Sequence, residues 1–224
     1  MKSPCILLII VCTLSLTGCA STKQADSDSS LGKAQQTLDS LYQHYSAKDS
    51  YLLRESYPFD EQHKVTYLAS EDQANTPNQF SYLWPYSGTF SAVNALFEAT
   101  HDKKYQKLLD KRVLPGLEEY FDIQRTPNAY SSYIQTAPTS DRFYDDNVWL
   151  GIDFTDIYQI TQEKRYLDKA QLIWKFIESG TDSLLGGGIY WCEQKKESKN
   201  TCSNAPGSVL ALKLFKATND SIYF

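Results

Sequence analysis

The chain has 224 residues, of which 42% are hydrophobic and 22% are charged, and its formal net charge is −5. This length is enough for one sizeable domain with its own hydrophobic core. The acidic balance argues against a nucleic-acid-binding protein, which would show a basic face. The three histidines and five cysteines show no zinc-ligand spacing, so the sequence predicts neither a metal site nor a cofactor.

The N-terminus has the pattern of a bacterial lipoprotein signal. Lys2 precedes an apolar run, from Cys5 to Leu16, that is too short to span a membrane as a mature helix. The run ends in Leu16-Thr17-Gly18-Cys19, which resembles a lipobox. We predict a signal peptide over residues 1–18, lipidation of Cys19 with a solvated tether over residues 19–32, and a catalytic domain over residues 33–224. An ordinary cleaved signal is the alternative.

Acyl chains on Cys19 would hold the protein at a membrane of the bacterial cell envelope, on the outer membrane surface or facing the periplasm. Cys192 and Cys202 flank a polar loop, and in an oxidising envelope compartment they could form a disulfide. Two free thiols are the alternative, and the sequence leaves both open.

The domain itself is predicted to be all-α. Apolar residues at helical spacing predict a first helix over residues 34–53. Residues 54–80 are polar and irregular, with Pro58 and Pro77 as helix breakers. A second, apolar helix is expected to follow Trp84-Pro85-Tyr86-Ser87-Gly88 and to run to about Thr100.

A ten-residue motif then occurs three times, as Leu96–Tyr105, Ile157–Tyr166 and Leu214–Tyr223, at offsets of 61 and 57 residues. Each copy has the pattern of a helix end, a tight turn and a new helix that begins with an acidic residue. Two helices in a repeat of this length predict αα-hairpins.

The two helices of a repeat differ in character. Residues 148–160 are apolar on most faces, as expected of an inner helix, whereas Leu167, Ala170, Trp174 and Ile177 form one stripe, as expected of an outer helix. An inner and an outer ring predict an (α/α)6 toroid rather than an open solenoid, whose repeats are nearer 34 residues. Six hairpins would need about 360 residues. We therefore expect an incomplete toroid with about three and a half of six hairpins, its C-terminal part missing and the inner face of its last helix partly uncovered.

Two adjacent aspartates, Asp145 and Asp146, stand where a polar segment turns into the second inner helix. Hydrolysis of a glycosidic bond needs such a carboxyl pair. Neighbouring residues at a helix start diverge by about 100° around the axis, so their carboxyls can straddle one sugar. The helix N-terminus favours an ionised Asp145 as nucleophile, and that charge favours a protonated Asp146 as acid. The pair would titrate together, so the roles could be exchanged. A helix cap beside a solvated aspartate is the alternative.

These aspartates belong to a series of blocks that resembles glycoside hydrolase family 76. The blocks are the segment Asp145–Trp149, the Thr-x-Asp/Glu-x-x-Tyr turns, Gly186–Trp191 and Lys199–Pro206, and the similarity runs from about Trp84 to the C-terminus. The resemblance implies an (α/α)6 barrel and retaining hydrolysis of α-1,6-mannan backbones, with Asp145 and Asp146 as nucleophile and acid/base. The chain departs from the family at Val148, where a smaller Ala is common, and in its missing C-terminal hairpins.

Further candidates for substrate binding lie at the starts of inner helices or beside the glycine run. They are Trp84, Tyr86, Tyr144, Asn147, Gly187, Gly188, Tyr190, Trp191 and Asn204. In a toroid the starts of successive inner helices face one mouth, which would bring these residues together. The alternatives are core packing for the aromatics, a tight turn for the glycines and a helix cap for Asn204. Asp153 and Asp156, inside an inner helix, are expected to be structural.

Three functions remain open at this point. The first is a lipid-anchored endo-mannanase that cleaves α-mannan oligosaccharides or polysaccharides, with fungal cell walls as the expected source. The second is a non-catalytic glycan-binding lipoprotein, and the third is an inactive, truncated remnant of the hydrolase. A transglycosylase would use the same residues as the hydrolase. We expect a monomer that contacts the membrane through its lipid anchor and binds no nucleic acid.

Overall fold

The computed structural model of the chain describes residues 28–64 and 77–223. The predicted signal peptide, Cys19 and most of the predicted tether lie outside these residues. The seven α-helices of the described part are α1 (Ser30–Tyr45), α2 (Leu83–Thr100), α3 (Lys103–Leu108), α4 (Leu114–Glu118), α5 (Tyr144–Thr161), α6 (Lys164–Ser179) and α7 (Thr201–Thr218). None of these helices combines the length and apolar character needed to cross a bilayer.

Short elements connect the helices. A π-helical stretch, Leu109–Val113, joins α3 to α4, and one-turn 3-10 helices cover Leu184–Gly186 and Ser221–Tyr223. Strands β1 (Phe121–Asp122) and β2 (Ala129–Tyr130) form a small antiparallel ribbon in which Phe121 pairs with Tyr130. Over the residues that the structure describes, the domain is therefore all-α apart from this ribbon, as predicted.

The first helix was predicted with the wrong limits. It begins at Ser30, where the Ser29 side chain accepts a hydrogen bond from the Gly32 amide, so the last three residues of the predicted tether are helical. It ends at Tyr45 because the chain reverses and Ser46 pairs with Leu53 in an isolated antiparallel bridge. Leu52 is buried by this reversal and not by a continuing helix.

Helix α2 begins at Leu83, so the segment 84–88 forms its first turns. The prediction that the helix follows this segment was wrong. Pro85 is tolerated there because the first amides of a helix have no intrahelical acceptor. The predicted end at Thr100 is confirmed.

The predicted division into inner and outer helices is confirmed. Helix α5 packs on α2, α6 and α7 and buries residues on most of its faces, whereas α6 buries one stripe. Gly151 allows the close approach of α7, because a Cβ there would lie 2.6 Å from Leu210 Cδ2. Val209 and Leu212 on another face of α7 are about half exposed, as predicted for a partly uncovered helix.

All three copies of the repeat end their first helix in the same way. His101, Gln162 and Asn219 adopt the left-handed conformation, and each amide donates to the carbonyl four residues earlier. The hydroxyl of the preceding threonine donates to the helix and accepts the amide of the acidic residue two positions later; the threonines are Thr100, Thr161 and Thr218. The sequence repeat is therefore a repeated turn structure, and the buried Tyr105 and Tyr166 follow it one turn later.

Candidate active site

A pocket of about 170 Å³ lies where α2 and α5 begin. It is lined by Tyr82, Trp84, Ser132, Phe143, Asp145, Asp146 and Trp191. The aromatic side chains of such a pocket can pack on the apolar face of a sugar ring, and the two acidic side chains can act on its glycosidic bond.

The start of α5 is held by a short antiparallel pairing of residues 142–144 with residues 191–193. The Tyr144 amide donates to the Trp191 carbonyl at 2.9 Å, and the Glu193 amide donates to the Arg142 carbonyl at 3.0 Å. Phe143 lies opposite Cys192 in this pairing, and its ring contacts the ring of Trp191, with the two centroids 5.1 Å apart. This pairing brings the Trp191 indole to the first turn of α5.

A buried ion-pair cluster fixes the base of this pairing. Arg142 is fully buried, and its guanidinium donates to Glu193 at 2.8 Å and to the Pro127 carbonyl at 2.8 Å. Its Nη1 lies 3.7 Å from Asp122, and the guanidinium stacks over the Phe176 ring of α6. Arg142 thereby ties the loop before α5 to the segment before α7 and to the outer helix.

The two carboxyls of the pocket have different surroundings. The Trp191 indole N–H donates to Asp145 Oδ2 at 3.2 Å, and the Cys202 thiol lies beside the same carboxyl. Burial raises the pKa of Asp145, but these donors and the first amides of α5 oppose the rise. Asp146 is only 9% exposed, and burial together with the Asp145 charge raises its pKa well above the usual range. The surroundings therefore favour the protonated form at Asp146 more strongly than at Asp145.

Four of the predicted site residues meet in this pocket, namely Trp84, Asp145, Asp146 and Trp191. Four others lie in the core and do not line this pocket. Tyr86 donates its hydroxyl to the Val113 carbonyl, and Tyr144 stacks on Phe176 at 4.5 Å. Tyr190 bonds Asp182, and the Asn147 amide bonds both the amide and the carbonyl of Tyr130.

Gly187, Gly188 and Asn204 do not line this pocket either. Asn204 accepts from the Ile189 amide and donates to the Ile189 carbonyl, both at 2.8 Å, which joins α7 to the glycine segment. A Cβ on Gly188 would lie 2.5 Å from Asn204 Oδ1, and both glycines have φ near +90°, which favours glycine.

Sequence reasoning missed three pocket residues. Phe143 could have been found from its position two residues before Asp145, and Tyr82 from its position two residues before Trp84. Ser132 carried no signal, because it enters the pocket through an irregular segment whose carbonyl accepts the Leu83 amide at 2.9 Å. Burial raises the pKa of Tyr82 to about 12, so this hydroxyl is neutral.

The two cysteines left open by the sequence are free thiols in the structure, with Cys192 buried and Cys202 exposed. Asp153 accepts from the Ser91 hydroxyl and Asp156 pairs with Lys213, so both are structural, as predicted. The described part of the chain has no cluster of three or more histidine, cysteine, aspartate or glutamate side chains that could hold a metal ion.

The sequence profile of glycosyl hydrolase family 76 matches residues 56–224. The chain belongs to this family. Its predicted (α/α) toroid type is thereby confirmed, because solved members share the fold. No curated protein sequence matches the chain significantly.

Two solved family 76 enzymes illustrate the similarity. A family 76 mannosidase from Bacteroides thetaiotaomicron is 30% identical, with a TM-score of 0.71 over 86% of this chain and 50% of its own. An α-1,6-mannanase from Salegentibacter sp. is 24% identical, with a TM-score of 0.61 over 86% of this chain and 47% of its own. The chain thus spans about half the length of these structures.

The Salegentibacter enzyme has also been solved with a ligand. An inactive variant, in which two consecutive aspartates are replaced by asparagine, forms a complex with α-1,6-mannotriose. That protein is 23% identical to this chain, with a TM-score of 0.61.

Proposed function

We propose that this chain carries the active site of a retaining glycoside hydrolase that cleaves α-1,6-linked mannan. The observation that carries the proposal is the placement of Asp145 and Asp146, the chain's one pair of adjacent aspartates, in an aromatic pocket at the start of an inner helix. Family membership and the mannanase neighbours support the substrate class. The inactivity of the Salegentibacter variant in which two consecutive aspartates are replaced supports the role of the pair.

In the first step the Asp146 carboxyl donates its proton to the glycosidic oxygen while an Asp145 oxygen attacks the anomeric carbon. The bond from that carbon to the glycosidic oxygen breaks, the leaving mannan fragment departs with the proton, and a mannosyl ester forms on Asp145. Burial suits both roles, because it keeps Asp146 protonated and leaves the Asp145 carboxylate poorly solvated.

In the second step the Asp146 carboxylate accepts a proton from water, and the hydroxide attacks the anomeric carbon. The ester bond breaks, Asp145 is released as a carboxylate, and the product has the configuration of the substrate. Trp84 and Trp191 would pack on the sugar rings and hold the linkage between the two carboxyls.

The experiment compares release of reducing ends from linear α-1,6-mannan by the wild type, Asp145→Asn and Asp146→Asn. Each variant should lose at least about 100-fold in rate, because each removes a group that acts in the transition state. Asp168→Asn is the matched control, since this aspartate is half exposed on α6 and pairs with Lys164. An α-1,3-linked mannan should be a much poorer substrate.

Retention of most of the activity by either pocket variant would contradict the proposal. If the wild type shows no turnover, and both asparagine variants bind α-1,6-mannotriose with the same affinity as the wild type, the chain is a glycan-binding protein instead.

We also propose that the mature protein is anchored to the cell envelope through lipid on Cys19, on the support of the lipobox-like segment 16–19. In a bacterial host fed radiolabelled palmitate, the wild type should incorporate label and fractionate with membranes. Cys19→Ala should lose both properties, whereas Cys12→Ala, within the apolar run, should keep them. Labelling of Cys19→Ala would contradict the anchor.

A further inference from the structure

The two carboxyls of the pocket differ in their hydrogen bonds. Asp145 Oδ2 accepts the Trp191 indole N–H at 3.2 Å. The Asp146 carboxyl, although nine-tenths buried, receives no hydrogen bond from any residue in the described part of the chain. A hydrogen bond donated to a carboxylate favours its ionised form, so the two neighbours are biased in opposite directions.

The Trp191 side chain is firmly placed. Its backbone amide donates to the Ser198 carbonyl at 3.1 Å, its carbonyl accepts the Tyr144 amide at 2.9 Å, and its ring packs on Phe143. The indole is a donor only, so it cannot rotate to accept a proton from a protonated Asp145. The hydrogen bond from the Trp191 indole therefore favours the ionised form of Asp145.

Resting on the function proposed above, we propose that Trp191 is a positioning residue whose indole N–H holds Asp145 as the attacking carboxylate and leaves the proton of the pair on Asp146. This assignment removes the ambiguity of an adjacent pair, in which either member could take either role. It also gives Trp191 a task beyond contact with sugar.

Two further titratable groups face the pair from neighbouring elements, and both stay neutral over the working range. Burial and the Asp145 charge raise the pKa of the Cys202 thiol on α7 to about 11. Burial raises the pKa of Tyr82, which precedes α2, to about 12. The charge state of the pair is then decided by the two carboxyls and the donors around them.

The test replaces Trp191 by phenylalanine, which keeps one aromatic ring at this position and removes the N–H donor. The readout is a carbon-13 NMR titration of the aspartate carboxyls, with Asp145→Asn and Asp146→Asn to assign the signals. The wild type should show the lower apparent pKa of the pair on Asp145. Trp191→Phe should raise that pKa by about one pH unit, as expected for loss of a hydrogen bond to a charged group.

Trp149→Phe is the matched control, because Trp149 is also next to the site in sequence but is half exposed and outside the pocket. Its titration should equal that of the wild type. A benzothienylalanine at position 191, which replaces the indole N–H by sulfur and keeps the bicyclic shape, should reproduce the Trp191→Phe shift if the donor and not the packing is responsible.

Rates on α-1,6-mannan give a second readout. In Trp191→Phe the acidic limb of the pH profile of kcat/KM should shift to higher pH, together with the pKa of Asp145. On an aryl mannoside whose leaving group needs no proton, Asp146→Asn should recover activity, whereas Trp191→Phe should not, because its defect lies in the nucleophile.

An unchanged Asp145 titration in Trp191→Phe, or a lower apparent pKa on Asp146 than on Asp145, would overturn the role of Trp191. Either result leaves the proposed function intact if both asparagine variants are inactive. Active asparagine variants would instead overturn the function, and the NMR titration would still decide whether the indole sets the charge of Asp145.

Discussion

At the scale of single residues, position in the sequence predicted which carboxyls line the pocket better than it predicted which aromatic residues do. Trp84 and Tyr86 both stand in the first turns of α2, but two residues along a helix are about 200° apart around its axis. Trp84 is accordingly 60% exposed at the pocket, while Tyr86 is buried. Tyr190 and Trp191 are neighbours in extended backbone and point to opposite sides. The sequence does not give the rotation of each helix or strand about its own axis. It therefore could not show which residue of such a pair faces the pocket and which lies in the core.

Asp153 is a buried carboxyl of α5 that the proposed chemistry does not use. Burial raises its pKa to about 7, while the Ser91 hydroxyl donates to it at 2.7 Å. In the unfolded chain its pKa is near 4. Because the folded-state pKa is the higher one, folding favours the protonated form, and stability is lost as the pH rises from about 4 through 7.

We therefore predict that Asp153→Asn gains stability relative to the wild type as the pH rises over that range. The difference in unfolding free energy between pH 8 and pH 4 should approach about 4 kcal/mol in favour of the variant. Urea unfolding at a series of pH values measures it, with Asp168→Asn as the exposed control. A pH-independent difference between Asp153→Asn and the wild type would contradict the account.

At the scale of elements, the site depends on how the segment before α5 pairs with the segment before α7. Arg142 lies at the base of this pairing and contacts Glu193 and Asp122. Burial opposes the ionisation of Glu193, but the Arg142 guanidinium more than offsets it and holds the pKa of Glu193 below its usual range. The cluster is thus charged and paired, with Arg142 and Asp122 buried and Glu193 partly buried.

Arg142→Met should lower the unfolding free energy by about 3 kcal/mol, because it removes the buried guanidinium that pairs with Asp122 and Glu193 and leaves them only Arg125. Mannan hydrolysis should fall as well, since Phe143 and Trp191 would lose their fixed placement. Urea unfolding and the reducing-end assay measure the two effects. Lys164→Met is the control, because its ion pair with Asp168 is exposed and contributes less than about 0.5 kcal/mol. Equal stability of Arg142→Met and Lys164→Met would contradict this role.

Elements whose contacts are close together in the sequence were predicted well. In each repeated turn the threonine, the left-handed residue and the acidic residue contact one another within a few positions. The sequence repeat was therefore sufficient to predict these turns. The prediction of the first helix failed at its C-terminal end because Leu52 continues the helical spacing of the earlier apolar residues. The burial of Leu52 comes instead from a chain reversal stabilised by the bridge from Ser46 to Leu53. The pairing of residues 142–144 with 191–193 joins segments almost fifty residues apart and left no local signal.

At the scale of the whole molecule, repeated hairpins place the starts of successive inner helices at one mouth. Trp84 stands at the start of α2 and the two aspartates at the start of α5, as the toroid prediction requires. The chain spans about half the length of the family 76 structures that it matches, and it supplies both carboxyls and both pocket tryptophans. We propose that an α-1,6-linked mannan chain lies across these four residues.

The chain has four tryptophans, so their indole N–H signals report directly on this claim. α-1,6-Mannotriose would be titrated into nitrogen-15-labelled Asp145→Asn, which binds without turnover. We predict that the signals of Trp84 and Trp191 shift with a common saturation curve while those of Trp149 and Trp174 stay in place. Shifts confined to Trp149 and Trp174, or no shift at millimolar mannotriose, would contradict the account.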